Sequence, residues 1–336
     1  MDATFGINLP IFVGDRKLAG TGPLHLGVWE YPYLNSPSWT KTLRISQKAE
    51  KLGYDSVWGP DHLAFGKDGA CLNTWTVLSA LSTATSKMKL GTLVLCNSYR
   101  NPALVAKMAS TLAQISSNRF VLGYGAGWYG REYKMFGFDY PAPPERVAML
   151  REALVVIKGL LEKSPFSFRG KYYQIESGVA LPRPSKRVPI LVGGFGRQIL
   201  RLVAEYADAW DIGVNVSLQA YKERVEFLNG ELRRRGRSLD DVRRSMHFQV
   251  IMAKDEAELR RKKRVIKSIV ERALPRLSDK PSADFNVDID NGIVGTPDQI
   301  RRKLRAYSEL GCERFILSFL DYPKPNTLEW FASEFM

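Results

Sequence analysis

The chain has 336 residues, of which 45% are hydrophobic and 25% are charged, and its formal net charge at pH 7 is +14. This length allows one large domain or two ordinary ones, and the composition is that of a globular protein with a sizeable core. The longest apolar runs are far shorter than the roughly 20 residues of a membrane-spanning helix, and no secretory signal is visible at the N-terminus, so we expect a cytoplasmic protein without a membrane partner.

Short apolar strands alternate with amphipathic helices along the chain. After an uncertain start, strands are predicted at Asp55–Trp58, Leu90–Leu95, Phe120–Tyr124, Pro189–Val192, Ala209–Gly213, Met246–Met252 and Arg314–Phe319. Helices are predicted at Trp39–Leu52, Asn73–Thr85, Ala103–Ile115, Glu145–Leu161, Gln198–Tyr206, Leu218–Arg234, Asp255–Ala273 and Asp298–Leu310. Strands that alternate with helices pair in parallel with right-handed crossovers, which favours a β/α barrel; a doubly wound open sheet is the alternative.

Three segments depart from this alternation. The first strand is either Thr4–Pro10 or Leu24–Trp29, because counting both gives nine strands where eight close a barrel. Phe166–Phe168 and Lys171–Ile175 predict a small inserted hairpin. Pro275–Gly292 is irregular and predicts a loop. Since no shift in composition or proline-rich linker divides the chain, we expect residues 1–336 to form a single domain.

The positive charge is concentrated in two helical runs, Arg233–Arg237 and Arg260–Arg264. A solvated helix face, attraction of an anionic ligand and nucleic-acid contact all fit such runs. No nucleic-acid-binding motif accompanies them, so no nucleic-acid partner is expected. The three cysteines are scattered without CxxC spacing, which argues against a disulfide framework or a zinc site and suits a reducing cytoplasm.

His62 is the first candidate for chemistry. It follows Asp61 just beyond the carboxyl end of a predicted strand, where barrel enzymes place their catalytic groups. An imidazole titrates near neutral pH and can relay a proton, and a nearby carboxylate can hold its tautomer. Asp61 itself either binds a ligand or caps a helix, because side chains adjacent in sequence point in different directions. A structural hydrogen bond remains the alternative for His62, and the other two histidines lie within apolar runs.

Two glycine-rich loops follow predicted strands, Gly123–Gly127 and Gly193–Arg197. The second directly precedes a helix, where backbone N–H groups and the helix N-terminus favour a phosphate. Tight turns without a ligand are the alternative for both loops. Cys96–Pro102 ends another strand with polar side chains suited to a heterocycle, or it is a plain helix entry. No nucleophile or metal-ligand spacing is present, so an organic cofactor is expected to carry any difficult chemistry.

Five blocks, taken in order, resemble signatures of the bacterial luciferase-like superfamily of flavin- and deazaflavin-dependent oxidoreductases. They are LGYDSVWGPDHL, LGTLVLCNSYRNPALVAKMA, ISSNRFVLGYGAGW, VPILVGGFGR with YADAW, and VGTPDQIRRKL with GCERFILS. The resemblance covers the chain from about Phe5 to Glu329. It implies a (β/α)8 TIM barrel with insertion segments, the hairpin being one of them. It also implies that Thr4–Pro10 is the first strand and Leu24–Trp29 an added segment.

The blocks look closest to the branch that uses coenzyme F420, a deazaflavin. The resemblance implies that His62 relays a proton beside the hydride-accepting carbon and that Gly193–Arg197 hold the cofactor phosphate. It also implies a bulge with a non-prolyl cis peptide in the strand around Thr92-Leu93. The residues it assigns to the cofactor are Asp61, Thr92, Leu93, Cys96, Asn97, Gly125, Ala126, Gly127, Trp128, Tyr129, Gly193, Gly194, Phe195, Gly196 and Arg197. An electropositive rim would help to capture the phosphate and oligoglutamate tail of F420.

The expected function is therefore F420-dependent hydride transfer to or from a small organic substrate, with His62 as proton donor or acceptor. An FMN-dependent monooxygenase that uses oxygen is the alternative within the same superfamily, and a flavin- or deazaflavin-binding protein without turnover is the non-enzymatic one. The resemblance also implies a homodimer. Substrate choice depends on Asp15–Pro37, the insertion and Pro275–Gly292, whose geometry the sequence does not define.

Overall fold

The computed structural model describes residues 3–9, 37–65, 69–273, 289–319 and 326–336. Its strands are β1 Thr4–Asn8, β2 Ser56–Gly59, β3 Lys89–Thr92, β4 Leu95–Cys96, β5 Phe120–Gly125, β6 Phe166–Arg169, β7 Gln174–Gly178, β8 Ile190–Gly193, β9 Ala209–Val214, β10 Arg243–Met252, β11 Ile293–Gly295 and β12 Cys312–Phe319. Its α-helices are α1 Trp39–Leu52, α2 Thr74–Ala84, α3 Pro102–Ile115, α4 Gly130–Phe136, α5 Pro143–Glu162, α6 Arg197–Tyr206, α7 Leu218–Arg234, α8 Glu256–Ala273, α9 Pro297–Glu309 and α10 Asn326–Phe335.

Eight of the described strands close a parallel barrel. Their order around the ring is β12, β1, β2, β3, β5, β8, β9 and β10, and β10 pairs with both β9 and β12 to close it. The predicted TIM barrel is therefore confirmed, and the open-sheet alternative is wrong. The first strand is the predicted Thr4–Pro10 segment, observed as β1. The segments Leu24–Trp29 and Asp15–Ser36, and residues 275–288 of the predicted loop, lie outside the described residues.

Several elements differ from the sequence prediction. The predicted strand Leu90–Leu95 is divided into β3 and β4. A non-prolyl cis peptide bond joins Leu93 and Val94, in the stretch where the resemblance implies one. The hairpin of β6 and β7 is antiparallel and separate from the barrel sheet, as predicted. Three elements were not predicted: β11 and α4, which have three and seven residues, and α10 near the C-terminus.

The lower interior of the barrel is filled by large and small side chains in alternation. Trp58 is fully buried there in a cluster with Val121, Leu191, Ala209 and Ile316. These five side chains come from five different strands. Gly91 on β3 faces the Trp58 ring so closely that a Cβ at this position would overlap it. The bulk of one indole thus requires a glycine on the next strand, an example of the complementary packing that protein cores need.

The two basic runs are partly structural. In the first, Arg234 and Arg235 pair with the buried Glu231, and Arg237 donates hydrogen bonds to carbonyls at the C-terminal end of α6. In the second, Lys262 is buried and its Nζ donates to the carbonyl of Met252 at 2.6 Å. Most residues of each run are exposed, in keeping with a solvated helix face. Arg237 joins the segment after α7 to α6, and Lys262 joins α8 to β10.

All three cysteines are free. Within the described ranges, no helix has the length and apolar character needed to cross a bilayer.

Candidate active site

The carboxyl ends of the barrel strands bring the predicted site segments to one rim. Because β2, β4, β5 and β8 run parallel within one sheet, the residues after them lie at the same end of the barrel. His62 follows β2, Asn97 follows β4, Ala126 follows β5 and Gly194 follows β8. Segments far apart in the sequence therefore share one mouth.

His62 contacts a carboxylate from a distant part of the chain. Its Nδ1 lies 3.1 Å from Oε2 of Glu132, which belongs to α4. Only 12% of the His62 side chain and 1% of the Glu132 side chain are exposed. The rings of Phe65, Trp128 and Tyr129 approach the imidazole with centroid separations of 4.2, 5.9 and 6.0 Å. The imidazole thus lies in an aromatic pocket with a buried acceptor at one nitrogen.

Glu132 accepts hydrogen bonds from three further donors. The backbone N–H groups of Leu63 and Ala64 donate to its Oε1 at 2.7 and 2.9 Å. The hydroxyl of Tyr99 donates to its Oε2 at 2.9 Å. Burial and nearby acidic groups raise the pKa of Tyr99 well above its usual value, so the phenol keeps its proton. One carboxylate therefore holds both the His62 ring and the loop that follows it.

Asp61 directs its carboxylate to other partners. The guanidinium of Arg100 donates to its two oxygens at 2.7 and 3.0 Å, and the backbone N–H of Cys96 donates at 2.9 Å. This is a buried, bidentate ion pair, which is costly to break because it would leave an unpaired charge. Asp61 joins the β2 loop to the segment after β4, and the carboxylate at the imidazole is Glu132 instead of the sequence neighbour.

The Val94 side chain, just after the cis peptide bond, packs against glycines of two other strands. A Cβ at Gly125 would lie 2.7 Å from a Val94 methyl carbon, and a Cβ at Gly193 would lie 2.9 Å from the other. These two glycines are therefore required for packing at the rim. Thr92 is buried with its hydroxyl bonded to the backbone of β5, and Leu93 packs against the barrel interior.

Cys96 and Gly127 belong to a tightly packed part of the same rim. Gly127 has a φ of +77°, and a side chain there would overlap Tyr133 and Cys96. The Cys96 Sγ lies 3.1 Å from the Tyr133 hydroxyl. Burial raises the pKa of the Cys96 thiol to about 11, so the thiol stays neutral and is not a reactive nucleophile.

The two aromatic residues after Gly127 have different surroundings. Trp128 is 44% exposed, whereas Tyr129 is buried in the main core and Ala126 packs at its edge. Trp128 is therefore the member of the pair that presents an aromatic face at the mouth.

Asn97 carries a buried donor without a partner. Its Oδ1 accepts hydrogen bonds from the hydroxyls of Tyr124 at 3.0 Å and Tyr173 at 3.3 Å. Its Nδ2 is buried and has no hydrogen-bond partner in the described part of the structure. Tyr173 comes from the turn of the inserted hairpin, so the insertion contributes a side chain to the rim.

The loop Gly193–Arg197 presents the N-terminus of α6 to open space. The Gly194 N–H donates to a carbonyl of β9 at 2.9 Å, and its own carbonyl accepts from the Trp210 indole at 2.7 Å. Gly196 is the N-cap, no side-chain bond caps the helix, and a Cβ at Gly196 would meet nothing within 4 Å. Phe195 is 62% exposed, and the Arg197 guanidinium lies over the Phe227 ring. These are the features of an anion-binding helix terminus.

The upper interior of the barrel holds polar groups that the sequence reading missed. On β10, Ser245 and His247 both point inward: Ser245 Oγ lies 2.8 Å from Oδ2 of Asp211 on β9, and His247 Nε2 lies 2.7 Å from Oγ of Ser318 on β12. Burial lowers the pKa of His247 to about 4 and raises that of Asp211 to about 7. The imidazole of His247 is therefore neutral at neutral pH.

Burial outweighs the hydrogen bonds that Asp211 accepts. Ser245 Oγ donates to its Oδ2, and the Gly213 N–H donates to its Oδ1 at 2.9 Å. Both hydrogen bonds lower the pKa of Asp211, but the loss of solvent around the buried carboxyl raises it by more. Ser245 Oγ also lies 3.1 Å from the backbone carbonyl of Trp210.

The chain is similar to known proteins in both sequence and fold. The model of the luciferase-like monooxygenase family matches residues 3–314. An F420-dependent glucose-6-phosphate dehydrogenase of Microbacterium testaceum is 32% identical over 206 residues, which cover 60% of this chain and 61% of that protein. One of Kineococcus radiotolerans is 30% identical over 222 residues, covering 65% and 66%. The matched segments thus span under two thirds of these relatives.

Solved structures resemble the fold over nearly the whole chain. An F420-dependent secondary alcohol dehydrogenase in complex with an F420-acetone adduct has a TM-score of 0.77 at 21% identity, covering 99% of this chain and 98% of that one. EDTA monooxygenase from Chelativorans sp. BNC1 has a TM-score of 0.75 at 14% identity, covering 99% and 92%. At these identities the likeness establishes a shared fold.

We predict that Asp211→Asn makes the free energy of unfolding less dependent on pH. Because the pKa of Asp211 is raised on folding from 3.8 to about 7, the native state holds a proton that the unfolded state releases between these values. Wild-type stability should therefore fall as pH rises from about 4 to 7, by on the order of 1 kcal/mol per pH unit, and the variant should lose this component.

Urea denaturation at several pH values measures the effect. The exposed Asp139→Asn serves as the control and should run parallel to the wild type. A constant difference between Asp211→Asn and the wild type across this range would contradict the prediction.

Proposed function

Because the chain belongs to the luciferase-like monooxygenase family, we propose that it is an F420-dependent oxidoreductase working as a single domain. The reaction would be hydride transfer between the deazaflavin and a small organic substrate. The names of its F420-dependent relatives support this cofactor. One observation carries the proposal. His62, in its aromatic pocket, and the open N-terminus of α6 lie at the same rim of the barrel.

The residues present fit such a cofactor at two places. At α6, the uncapped N–H groups and the empty space beside Gly196 suit a phosphate, and the Arg197 charge adds to the favourable field. Below the mouth, the unpartnered Nδ2 of Asn97 suits a carbonyl or hydroxyl oxygen, because a buried donor is costly to leave unsatisfied.

The remaining predicted contacts form the walls between these two places. Gly125, Ala126 and Gly127 would offer backbone, and the exposed Trp128 an aromatic face, while Tyr129 supports them from the core. Asp61, Thr92 and Leu93 have their own partners within the protein, so we propose that they shape the wall. Cys96 would contribute its neutral thiol to the same surface.

His62 would hold or move the proton that accompanies hydride transfer. F420, when bound, supplies the carbon that accepts or donates the hydride. His62 lies at the rim with a carboxylate at its Nδ1, and an imidazole can donate a proton from one ring nitrogen while it accepts one at the other. The aromatic residues around the ring exclude water from this step.

We predict that F420 binds more tightly than FMN. Fluorescence titration of the purified protein with each cofactor measures both affinities.

Gly196→Asp should lower F420 affinity about 10-fold or more, because the new carboxylate would cap α6 and repel the phosphate. Gly196→Asn is the neutral control, with a smaller effect. A preference for FMN with oxygen uptake would instead establish the monooxygenase alternative.

We predict that His62→Ala leaves F420 affinity largely intact and lowers turnover about 100-fold or more, as expected when general acid–base catalysis is lost. The assay follows F420 absorbance with a panel of alcohols, or reduced F420 with carbonyl compounds. Unchanged turnover would remove His62 from the mechanism. Tight binding in the wild type without turnover on any donor or acceptor would favour the binding-protein alternative.

We also infer that the protein is a cytoplasmic homodimer. The scattered free cysteines support a reducing compartment. Leu104 on α3 and Leu181 after β7 are both about half exposed. Lys107 of α3 donates to the Leu181 carbonyl, so α3 and the segment after β7 are joined and would present exposed apolar residues to a second copy of the chain. Light scattering should give twice the chain mass of 37.9 kDa; the mass of one chain would refute the dimer.

A further inference from the structure

We propose that Glu132 is a positioning residue, which fixes His62 in the tautomer that carries its hydrogen on Nδ1 and its lone pair on Nε2. The inference deepens the proposed function, because it rests on a proton-carrying role for His62. It concerns a residue on a short helix that neither the sequence motifs nor the comparisons assign.

The hydrogen-bond inventory around Glu132 leads to this tautomer. Its Oε1 receives two backbone N–H groups, which can only donate. Its Oε2 receives the hydroxyl of Tyr99, whose raised pKa keeps the proton on the phenol. The remaining contact is Nδ1 of His62 at 3.1 Å. An ionised carboxylate accepts at every contact, so the attractive arrangement places the imidazole hydrogen on Nδ1; the opposite tautomer would set a nitrogen lone pair against Oε2.

Burial increases the effect of this hydrogen bond. Glu132 is almost completely enclosed and His62 is mostly so, and charge-assisted hydrogen bonds are stronger where water is excluded. When His62 accepts a second proton, the same carboxylate stabilises the imidazolium. One contact therefore orients the ring before the proton moves and stabilises its charged form afterwards, as the buried carboxylate of a catalytic triad does.

The surrounding packing holds Glu132 in place. Its neighbour on α4, Tyr133, is fully buried and donates to Oγ of Ser98 at 3.1 Å. The rings of Tyr99 and Tyr133 lie 5.2 Å apart, and the Tyr99 ring also packs on Phe138. The donor to Glu132 and the helix that carries Glu132 are thus joined by direct contacts, which fix the carboxylate relative to the loop that bears His62.

NMR spectroscopy of the imidazole nitrogens in the cofactor-free protein tests the tautomer directly. The chain has three histidines, so loss of one set of ring signals in His62→Asn assigns those of His62. We expect hydrogen on Nδ1 of His62 in the wild type near pH 8. A wild-type ring with its hydrogen on Nε2 would overturn the proposal without any variant of Glu132.

Glu132→Gln should reverse this preference. The amide oxygen is needed by the N–H groups of Leu63 and Ala64, so the NH2 group faces His62 and donates to Nδ1, which moves the ring hydrogen to Nε2. Tyr99→Phe is the matched control: it removes one donor to Glu132, keeps the carboxylate and should keep hydrogen on Nδ1. An unchanged His62 tautomer in a folded Glu132→Gln protein would overturn the proposal.

Kinetics separate positioning from a merely structural role. In Glu132→Gln, kcat with F420 should fall about 10-fold or more, while the Kd for F420 stays within about threefold of the wild type; Tyr99→Phe should lose less of its kcat. A parallel rise of Kd and fall of kcat would indicate a collapsed site and contradict the proposal. Failure of the wild type to bind F420 would refute the proposed cofactor, whereas the tautomer measurement, made without cofactor, still decides the role of Glu132.

Discussion

Closure of the parallel barrel through β10 is the constraint on which the site depends. Because β10 pairs with both β9 and β12, the ring has no free edge between them, and every strand delivers its carboxyl end to the same rim. Residues that follow four different strands then lie at one mouth. His62, Asn97 and Gly194 could not share a ligand in a sheet whose ends diverged.

Small residues at this rim serve two different physical purposes. Gly125 and Gly193 leave room for the branched side chain of Val94, so their absence of a side chain is a packing requirement. Gly196 faces open space and leaves the first N–H groups of α6 accessible. Glycines that look equivalent in the sequence therefore divide into those that packing requires and those that border open space.

Periodicity predicted the barrel because the strands and helices are long enough to show it. The bounds of α1 and α7 agree with the sequence reading to the residue. It failed for α4, which has seven residues, and Glu132 was missed with it: its contact with His62 joins positions 70 residues apart. On β10, Ser245, His247 and Gln249 alternate with apolar residues, a period-two signal that marks an inward polar face and was available in the sequence.

The inserted hairpin has a consequence for how such chains diversify. Tyr173 in its turn donates to Asn97, and Glu152 of α5 accepts the N–H groups of Lys171, Tyr172 and Tyr173. The hairpin turn is thus bonded both to helix α5 and to the rim of the barrel. A chimera that borrowed this segment from a homologue would have to import compatible partners at positions 97 and 152 as well, so evolution is expected to exchange these three parts as one module.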